Sequence, residues 1–375
     1  LVIKRRKETV LRVLHVYKTY LPDDFTGVPR VIHALAEGMV PHGVESQVLA
    51  LSKDHGGSVR TIDNHTVHLA RQDINIASAG LSVSGFGLFR RLAADADVVN
   101  YHFPWPMADL LHLLGRPKAP SVVTYHSDIV RQKNLLKLYA PVQNAFLRSV
   151  DAIVATSPNY VRTSAVLAKF ADKTSVVPIG IPDVPPPAAA LVESWREKVG
   201  SGFFLFVGAL RYYKGLQFLM AAARETGLPV VVAGGGDTAE WAEMGGPSVR
   251  FVGSVSDEDK IALLELSRAF VFPSHLRSEA FGVALAEAAR AGRAMISCEI
   301  GTGTSFVNLG GETGLVVPPE DVSALGTAMQ TLAASPDQAE AYGRGARARY
   351  ETMFRAEAMA GAYLQIYRRL LAGRQ

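Results

Sequence analysis

Short apolar runs recur from one end of the chain to the other, and stretches with helical spacing lie between them. In the first half they are Val10–Val16, Glu45–Leu51, Val98–Tyr101, Ser121–Tyr125 and Ala152–Thr156. In the second half come Phe203–Gly208, Pro229–Ala233, Val249–Val252, Ala269–Pro273, Ala294–Ser297 and Gly314–Val317. Near-continuous Val, Ile and Phe mark strands buried on both faces, which are parallel strands joined by crossover helices. Between the first two runs, Val31, Leu35 and Met39 recur at helical spacing, as an amphipathic crossover requires. The expected class is α/β, built from doubly wound sheets. No period of 20–50 residues repeats, which excludes a solenoid.

A chain of 375 residues exceeds what one core usually holds, so two domains are expected. The break falls at Ile181–Ala190, where Pro182, Pro185, Pro186 and Pro187 can continue neither helix nor strand and form a semi-rigid spacer. The expected division is 1–182 for a first Rossmann-like domain, 183–190 for the linker, 191–352 for a second, and 353–375 for a terminal helix. Met359, Tyr363, Ile366, Tyr367, Leu370 and Leu371 share a face of that helix. Such a face needs a partner, and packing back on the first domain supplies one.

Charge is unevenly shared. Residues 1–185 carry 21 Lys and Arg against 15 Asp and Glu, and the remainder 18 against 20. A basic first half suits an anionic partner, either a phosphorylated lipid acceptor or a membrane surface met from the cytoplasmic side. An ordinary solvated surface explains it equally well. No basic helix interleaved with aromatics and no zinc spacing is present, which argues against nucleic acid. The single cysteine, Cys298, excludes an intramolecular disulfide and fits a reducing cytoplasm. No apolar run approaches the roughly 20 residues that span a bilayer. Leu1 is not a methionine, so a trimmed leader stays open.

Open α/β sheets bind ligands beyond the carboxyl ends of their strands, and the residues with chemistry gather there. Gly27 lies in a loop that follows the first strand and opens a helix, where a glycine lets a phosphate or sugar approach the backbone. Gly208, Arg211 and Lys214 follow the strand at 203–208. Arginine grips phosphate oxygens as a fork and lysine as a point charge, so the couple is able to neutralise a leaving diphosphate. Gly236 ends a glycine triplet after the next strand, and Val255 sits in a turn against which a nucleotide base could rest. Glu279 and Glu287 stand eight positions apart around Ala280, Phe281 and Gly282. This sets two hydroxyl-gripping carboxylates beside a helix N-terminus. Among the ten histidines, His126 ends a strand and is the candidate acid, base or sugar contact. No metal site emerges: Asp95-Ala-Asp97 lies at a strand start, away from the ligand end. Protein cations are expected to replace a divalent metal.

These elements together resemble the retaining glycosyltransferases of the GT-B fold, in particular glycosyltransferase family 4. The resemblance covers nearly the whole chain and rests on Arg211 with Lys214 and on Glu279-(seven residues)-Glu287, in that order. It implies two Rossmann-like domains facing a central cleft, a nucleotide-sugar as donor, and no cofactor or metal. By that resemblance Glu287 holds the ribose hydroxyls. Glu279, helped by backbone N–H groups at Ala280–Gly282, contacts the transferred sugar. Arg211 and Lys214 stabilise the departing diphosphate, Gly27 approaches the donor, and His126 binds near the moving sugar. Two departures stand out: Val283-Ala284 follow Gly282 where members commonly carry Leu-Pro, and Thr26 precedes a lone Gly27 where they often carry paired glycines. Neither removes a charge.

The segment Glu299-Ile-Gly-Thr-Gly-Thr304 is similar to a subset of the family that acts in bacterial surface polysaccharide synthesis. The implied reaction is transfer of a hexose, with mannose from GDP-mannose as the favoured donor, to a lipid-linked or saccharide acceptor. A UDP-hexose donor is the first alternative. A sugar-nucleotide epimerase of the same fold and a non-catalytic nucleotide-sugar binding protein are the others.

Overall fold

The computed structural model describes residues 10–76, 79–129 and 133–374. Its strands are β1 (Leu11–Val16), β2 (Val44–Ser52), β3 (Val59–Ile62), β4 (His65–Arg71), β5 (Ile74–Ile76), β6 (Ala79–Leu81), β7 (Val98–Phe103), β8 (Ser121–Tyr125), β9 (Ala152–Ala155) and β10 (Thr174–Val176). The second half adds β11 (Phe204–Val207), β12 (Val230–Ala233), β13 (Val249–Gly253), β14 (Ala269–Phe272), β15 (Ala294–Cys298) and β16 (Gly314–Val317). Contacts divide the chain into two compact units. The first holds Leu1–Thr156, Ser164–Gly180 and Ala356–Gln375; the second holds Ser157–Thr163 and Ile181–Arg355.

In the first unit an eight-stranded sheet runs β10-β9-β8-β7-β1-β2-β4-β3. All its pairs are parallel except the β3–β4 hairpin. Val13 of β1 lies beside Ser46 of β2 and Val98 of β7, so β1 is central and β7 and β8 begin the return direction. The apolar stretch Leu49–Leu51 and the alternating Val67 and Leu69 are buried, which is what a sheet covered on both faces demands. The helix Ala356–Ala372 belongs to this unit and packs against the helix Val28–Met39. Its Met359, Tyr363, Ile366 and Tyr367 are buried, each worth about 2–3 kcal/mol of transfer free energy. The tyrosine hydroxyls are satisfied in place: Asn100 Nδ2 donates to Tyr367 at 2.8 Å, and Thr124 Oγ1 lies 2.9 Å from Tyr363 Oη.

In the second unit six parallel strands run β13-β12-β11-β14-β15-β16. Phe204 of β11 lies beside Val230 of β12 and Ala269 of β14. The chain therefore steps one way from β11 to β13, then returns to lay β14 against the other edge of β11. That reversal opens a crevice at the carboxyl ends of β11 and β14, the place where such sheets take ligands. The core beneath is Phe204, Phe206, Leu216, Leu219, Val232, Val271 and Ile296 with their neighbours.

Two boundaries differ from those drawn on sequence. The short helix Pro158–Thr163, placed there in the first domain, groups with the second unit. Asn159 Nδ2 donates to Ser305 Oγ at 2.9 Å, and Thr163 Oγ1 donates to the carbonyl of Gly301 at 2.6 Å. The proline stretch also groups with the second unit: Ile181 donates its N–H to Phe354 at 2.8 Å, and Pro182 accepts from Arg290 Nη1 at 2.9 Å. These are long-range hydrogen bonds that composition does not announce.

Candidate active site

The turn after β11 is built by a close approach. Tyr212–Lys214 form one 3₁₀ turn, closed by Gly215 at φ 71°. A Cβ on Gly215 would stand 1.9 Å from the carbonyl oxygen of Pro273, so only glycine lets this turn lie on the loop after β14. His275 fastens the two further: its N–H donates to Tyr213 O at 3.1 Å and its Nε2 to Tyr212 O at 3.0 Å. The consequence is that Lys214 and Glu279, 65 positions apart, meet with 2.5 Å between Nζ and Oε2. Lys214 also rides over the ring of Phe272, 4.7 Å from its centroid, a cation–π contact that steadies the ammonium. Only 14% of the lysine side chain and 13% of the glutamate is exposed. Arg211 stands at the head of the same turn, exposed, its guanidinium without a partner among the described residues. An exposed guanidinium therefore stands beside an ammonium held by Glu279.

Glu279 is held from behind. Its N–H donates to Leu276 O at 3.0 Å, and its carbonyl accepts from Thr302 Oγ1 at 2.8 Å. Ala280 accepts from the N–H of Gly303 at 2.8 Å, and Phe281 is buried. Gly282, at φ 83°, opens the helix Val283–Arg290, whose Leu285, Ala286, Ala288 and Ala289 are buried. Glu287 projects from that helix and meets a residue the sequence did not single out: Lys260 Nζ donates to Glu287 Oε1 at 2.6 Å and to Asp257 Oδ1 at 3.0 Å. Lys260 is positioned by its helix start, Asp257–Leu266. There Ser256 Oγ accepts from Asp259 N–H at 3.0 Å and Asp259 Oδ2 accepts from Ser256 N–H at 3.2 Å, a reciprocal cap. The two carboxylates of the motif therefore carry one lysine each. Asp257-x-x-Lys260 is an ordinary solvated helix spacing, so no sequence signal distinguished this nearly buried cation.

The remaining candidates of this unit sit on the same carboxyl edge. Gly208 follows β11, and its carbonyl oxygen would lie 2.0 Å from a Cβ on Gly234 after β12. Gly236, at φ 143°, is exposed beside Leu210, and Val255 is half-buried after β13. The loop after β14 also holds two buried hydroxyls without a partner among the described residues, Ser274 Oγ and Ser278 Oγ. Such groups are uncommon in folded proteins, and they lie in the loop that carries Glu279. Serines in a loop give no sequence signal of this kind.

In the first unit Gly27 caps the helix Val28–Met39 at φ 50°, with open space where a Cβ would be. His126 follows β8 and is not an open side chain: its N–H donates to Phe103 O at 3.0 Å and 6% of its surface is exposed. It ends a row of three imidazoles. His15 Nδ1 lies 3.1 Å from His102 Nε2, and His102 Nδ1 lies 3.0 Å from His126 Nε2. Burial pushes His15 and His126 down to about 3 and lowers His102 well below the usual imidazole range. All three are neutral at pH 7. His126 was read as a candidate acid or base; in this setting it is a hydrogen-bonding group with almost no basicity to offer.

One trio of metal-capable side chains comes together among the described residues. His33, Glu37 and Asp63 have ligand atoms within 4.8 Å of one another. Each is already engaged: His33 Nε2 lies 2.7 Å from Asp63 Oδ2, and Glu37 Oε1 lies 2.7 Å from His65 Nδ1. No helix among the described residues is long and apolar enough to cross a membrane.

The chain's relatives follow from these features. The profile of the glycosyl transferases group 1 matches residues 189–349, and that of glycosyltransferase family 4 matches residues 25–183. The D-rhamnosyltransferase WbpZ of Pseudomonas aeruginosa is 54% identical over 353 residues, 92% of this chain and 93% of that protein. O-antigen chain mannosyltransferase C of Escherichia coli is 48% identical over 368 residues, 96% of this chain and 99% of that one. Among solved structures, sucrose-phosphate synthase from Thermosynechococcus elongatus superimposes with a TM-score of 0.80 at 21% identity, covering 97% of this chain and all of that one. Anabaena HepE in complex with UDP and glucose gives 0.75 at 14% identity, covering 95% and 99%. These structural likenesses establish the GT-B fold. With two family profiles spanning both units and a relative of more than half identity along nearly its full length, the chain belongs to the family 4, group 1 glycosyltransferases.

Proposed function

We propose that this glycosyltransferase moves a hexose of the mannose or deoxymannose type from a GDP-linked donor to a saccharide on a lipid-linked carrier, with retention of configuration, in O-antigen or related surface polysaccharide synthesis. The observation that carries the chemistry is the Lys214–Glu279 pair at the β11/β14 crevice, with the Arg211 guanidinium beside it unpaired among the described residues. The names of the two most identical relatives reported above support the sugar class and the pathway.

The donor lies along the carboxyl edge of the second unit's sheet. Its ribose hydroxyls go to Glu287, oriented by Lys260, and its base lies near Val255 and Gly236. Glu279 and the N–H groups of Ala280–Gly282 take the sugar. When the bond from the anomeric carbon to the diphosphate breaks, negative charge builds on the leaving oxygen and positive charge on the ring. Arg211 and Lys214 oppose the first and Glu279 the second. The acceptor's hydroxyl oxygen bonds to the same face, and its proton passes to the departing phosphate. Protein cations supply the countercharge, so turnover needs no resident metal. A basic first half suits peripheral association with an anionic cytoplasmic membrane face, where a lipid-linked acceptor would be met.

The test is product analysis with GDP-mannose, GDP-rhamnose and UDP-hexoses, each with and without a lipid-linked oligosaccharide. Expected is an α-linked product from a GDP-linked α-donor, formed only with acceptor. Transfer from UDP-sugars alone, inversion at the anomeric carbon, or an isomerised sugar without acceptor would each replace this reading.

A further inference from the structure

We propose that His102 and His15 are positioning residues that lock His126 in its Nδ1–H tautomer, so that His126 meets its ligand as a hydrogen-bond donor and not as a base. The part that concerns the ligand rests on the glycosyl-transfer reading above; the tautomer does not.

The row has two contacts, His15 Nδ1 to His102 Nε2 at 3.1 Å and His102 Nδ1 to His126 Nε2 at 3.0 Å. Neutral imidazole carries one proton and one lone pair. The row must therefore be directional, and only two directions exist. In one, His126 Nε2–H donates to His102 and His102 Nε2–H donates to His15. That leaves His15 with a proton on Nε2, an atom that is buried and has no partner among the described residues. In the other, His15 Nδ1–H donates to His102 Nε2 and His102 Nδ1–H donates to His126 Nε2. His15 Nε2 is then a bare lone pair. An orphaned buried N–H is the rarer and costlier of the two, so the second direction holds.

The other end follows from the first. With its Nε2 occupied as acceptor, His126 carries its proton on Nδ1, which has no partner among the described residues. His126 also keeps the row's residual exposure, 6% against 0% for His15 and His102. Ring packing fixes which nitrogens meet: His102 and His126 lie 5.3 Å apart with 19° between planes, and Tyr17 abuts His102 edge-on at 6.4 Å. Burial keeps the three rings neutral, so no extra proton scrambles the order at pH 7. An Nδ1–H offered to solvent is a donor for an oxygen of a sugar or phosphate. It accepts no proton from an acceptor hydroxyl.

The experiment uses the full chain labelled with ¹⁵N-histidine and long-range ¹H–¹⁵N correlation at pH 7, with His126 assigned by the signal lost in His126→Asn. Expected is a protonated-type Nδ1 and a bare-type Nε2 for His126. A protonated Nε2, or two averaged nitrogens, overturns the inference. The positioning role is read on two variants at His102. His102→Asn places its amide nitrogen where Nδ1 stood and should keep turnover within about threefold. His102→Leu removes the donor and should lose about tenfold, the worth of one hydrogen bond, with the His126 nitrogens averaging. Equal losses in the two folded variants would make His102 merely structural. If the wild type transfers no sugar yet shows the Nδ1–H tautomer, the reading of function has failed and the tautomer stands.

Discussion

Acid should loosen the first unit before it touches the second, because burial favours the neutral form of five imidazoles there. His15 and His126 are pushed down to about 3 and His112 to about 4, with burial the leading cause; His102 and His65 move the same way. Their folded pKa lies below the unfolded value near 6.5, so the unfolded chain binds more protons and stability falls as pH falls. It is complete above about pH 7 and drains between about 6.5 and the folded values. From pH 7.0 to 5.5 each ring costs about 1.2 kcal/mol, and the three with numerical values about 4 kcal/mol together. That is a large share of a domain's usual 5–15 kcal/mol. Asp109 works in the opposite direction, since burial raises its carboxyl well above the usual range. The decisive quantity is therefore the difference between variants. Trp105 is buried in the first unit, with Nε1 donating to Gly80 at 3.0 Å. Trp195→Phe with Trp241→Phe leaves it as sole fluorescent reporter of that unit among the three tryptophans. Urea midpoints at pH 7.0 and 5.5 should show about 1.2 kcal/mol less acid sensitivity in His112→Phe and again in His15→Phe. Unchanged acid sensitivity in both would mean the rings are already charged in the folded chain, and the neutral row would be wrong.

Three further outcomes follow from the site. Gly215→Ala should strongly destabilise the second unit, by more than about 2 kcal/mol, because the new methyl meets Pro273 O at 1.9 Å. Gly27→Ala, with open space and only φ 50° against it, should cost about 1 kcal/mol; thermal melts compare them. If Glu287 takes the ribose as proposed, Glu287→Gln and Lys260→Met should each weaken nucleotide binding about tenfold by calorimetry, since each breaks the 2.6 Å pair between them. Chelator at millimolar concentration should leave turnover within about twofold if Arg211 and Lys214 supply the countercharge; a collapse restored by Mg²⁺ would contradict that.

What was legible in the sequence was set by burial on both faces. Ser121–Tyr125 and Gly314–Val317 coincide with β8 and β16, and the other apolar runs lie within a residue or two of strands. The β3–β4 hairpin was not legible: β3 is largely exposed, and β4 alternates His65, Val67 and Leu69 with polar residues. The motif residues on the second unit's carboxyl edge were found because glycine, cation and carboxylate spacing around a strand end has few other uses. The partners of Glu287 and His126 were not. Lys260 needed the fold to bring two helices together, and the His15–His102–His126 row needed three strands in register. His15 and His102, taken alone, are plain strand residues, and His126 was singled out only for its place at a strand end.

The most direct test of the account is the turnover of Lys214→Ala with a GDP-linked hexose and lipid-linked acceptor, alongside its circular dichroism and donor affinity. Lys214 supplies the fixed charge at the crevice, so kcat should fall roughly 100- to 1,000-fold with the fold intact and donor affinity changed far less. A folded variant that turns over at near the wild-type rate would contradict the claim that this lysine, held by Glu279 at 2.5 Å, opposes charge on the leaving diphosphate.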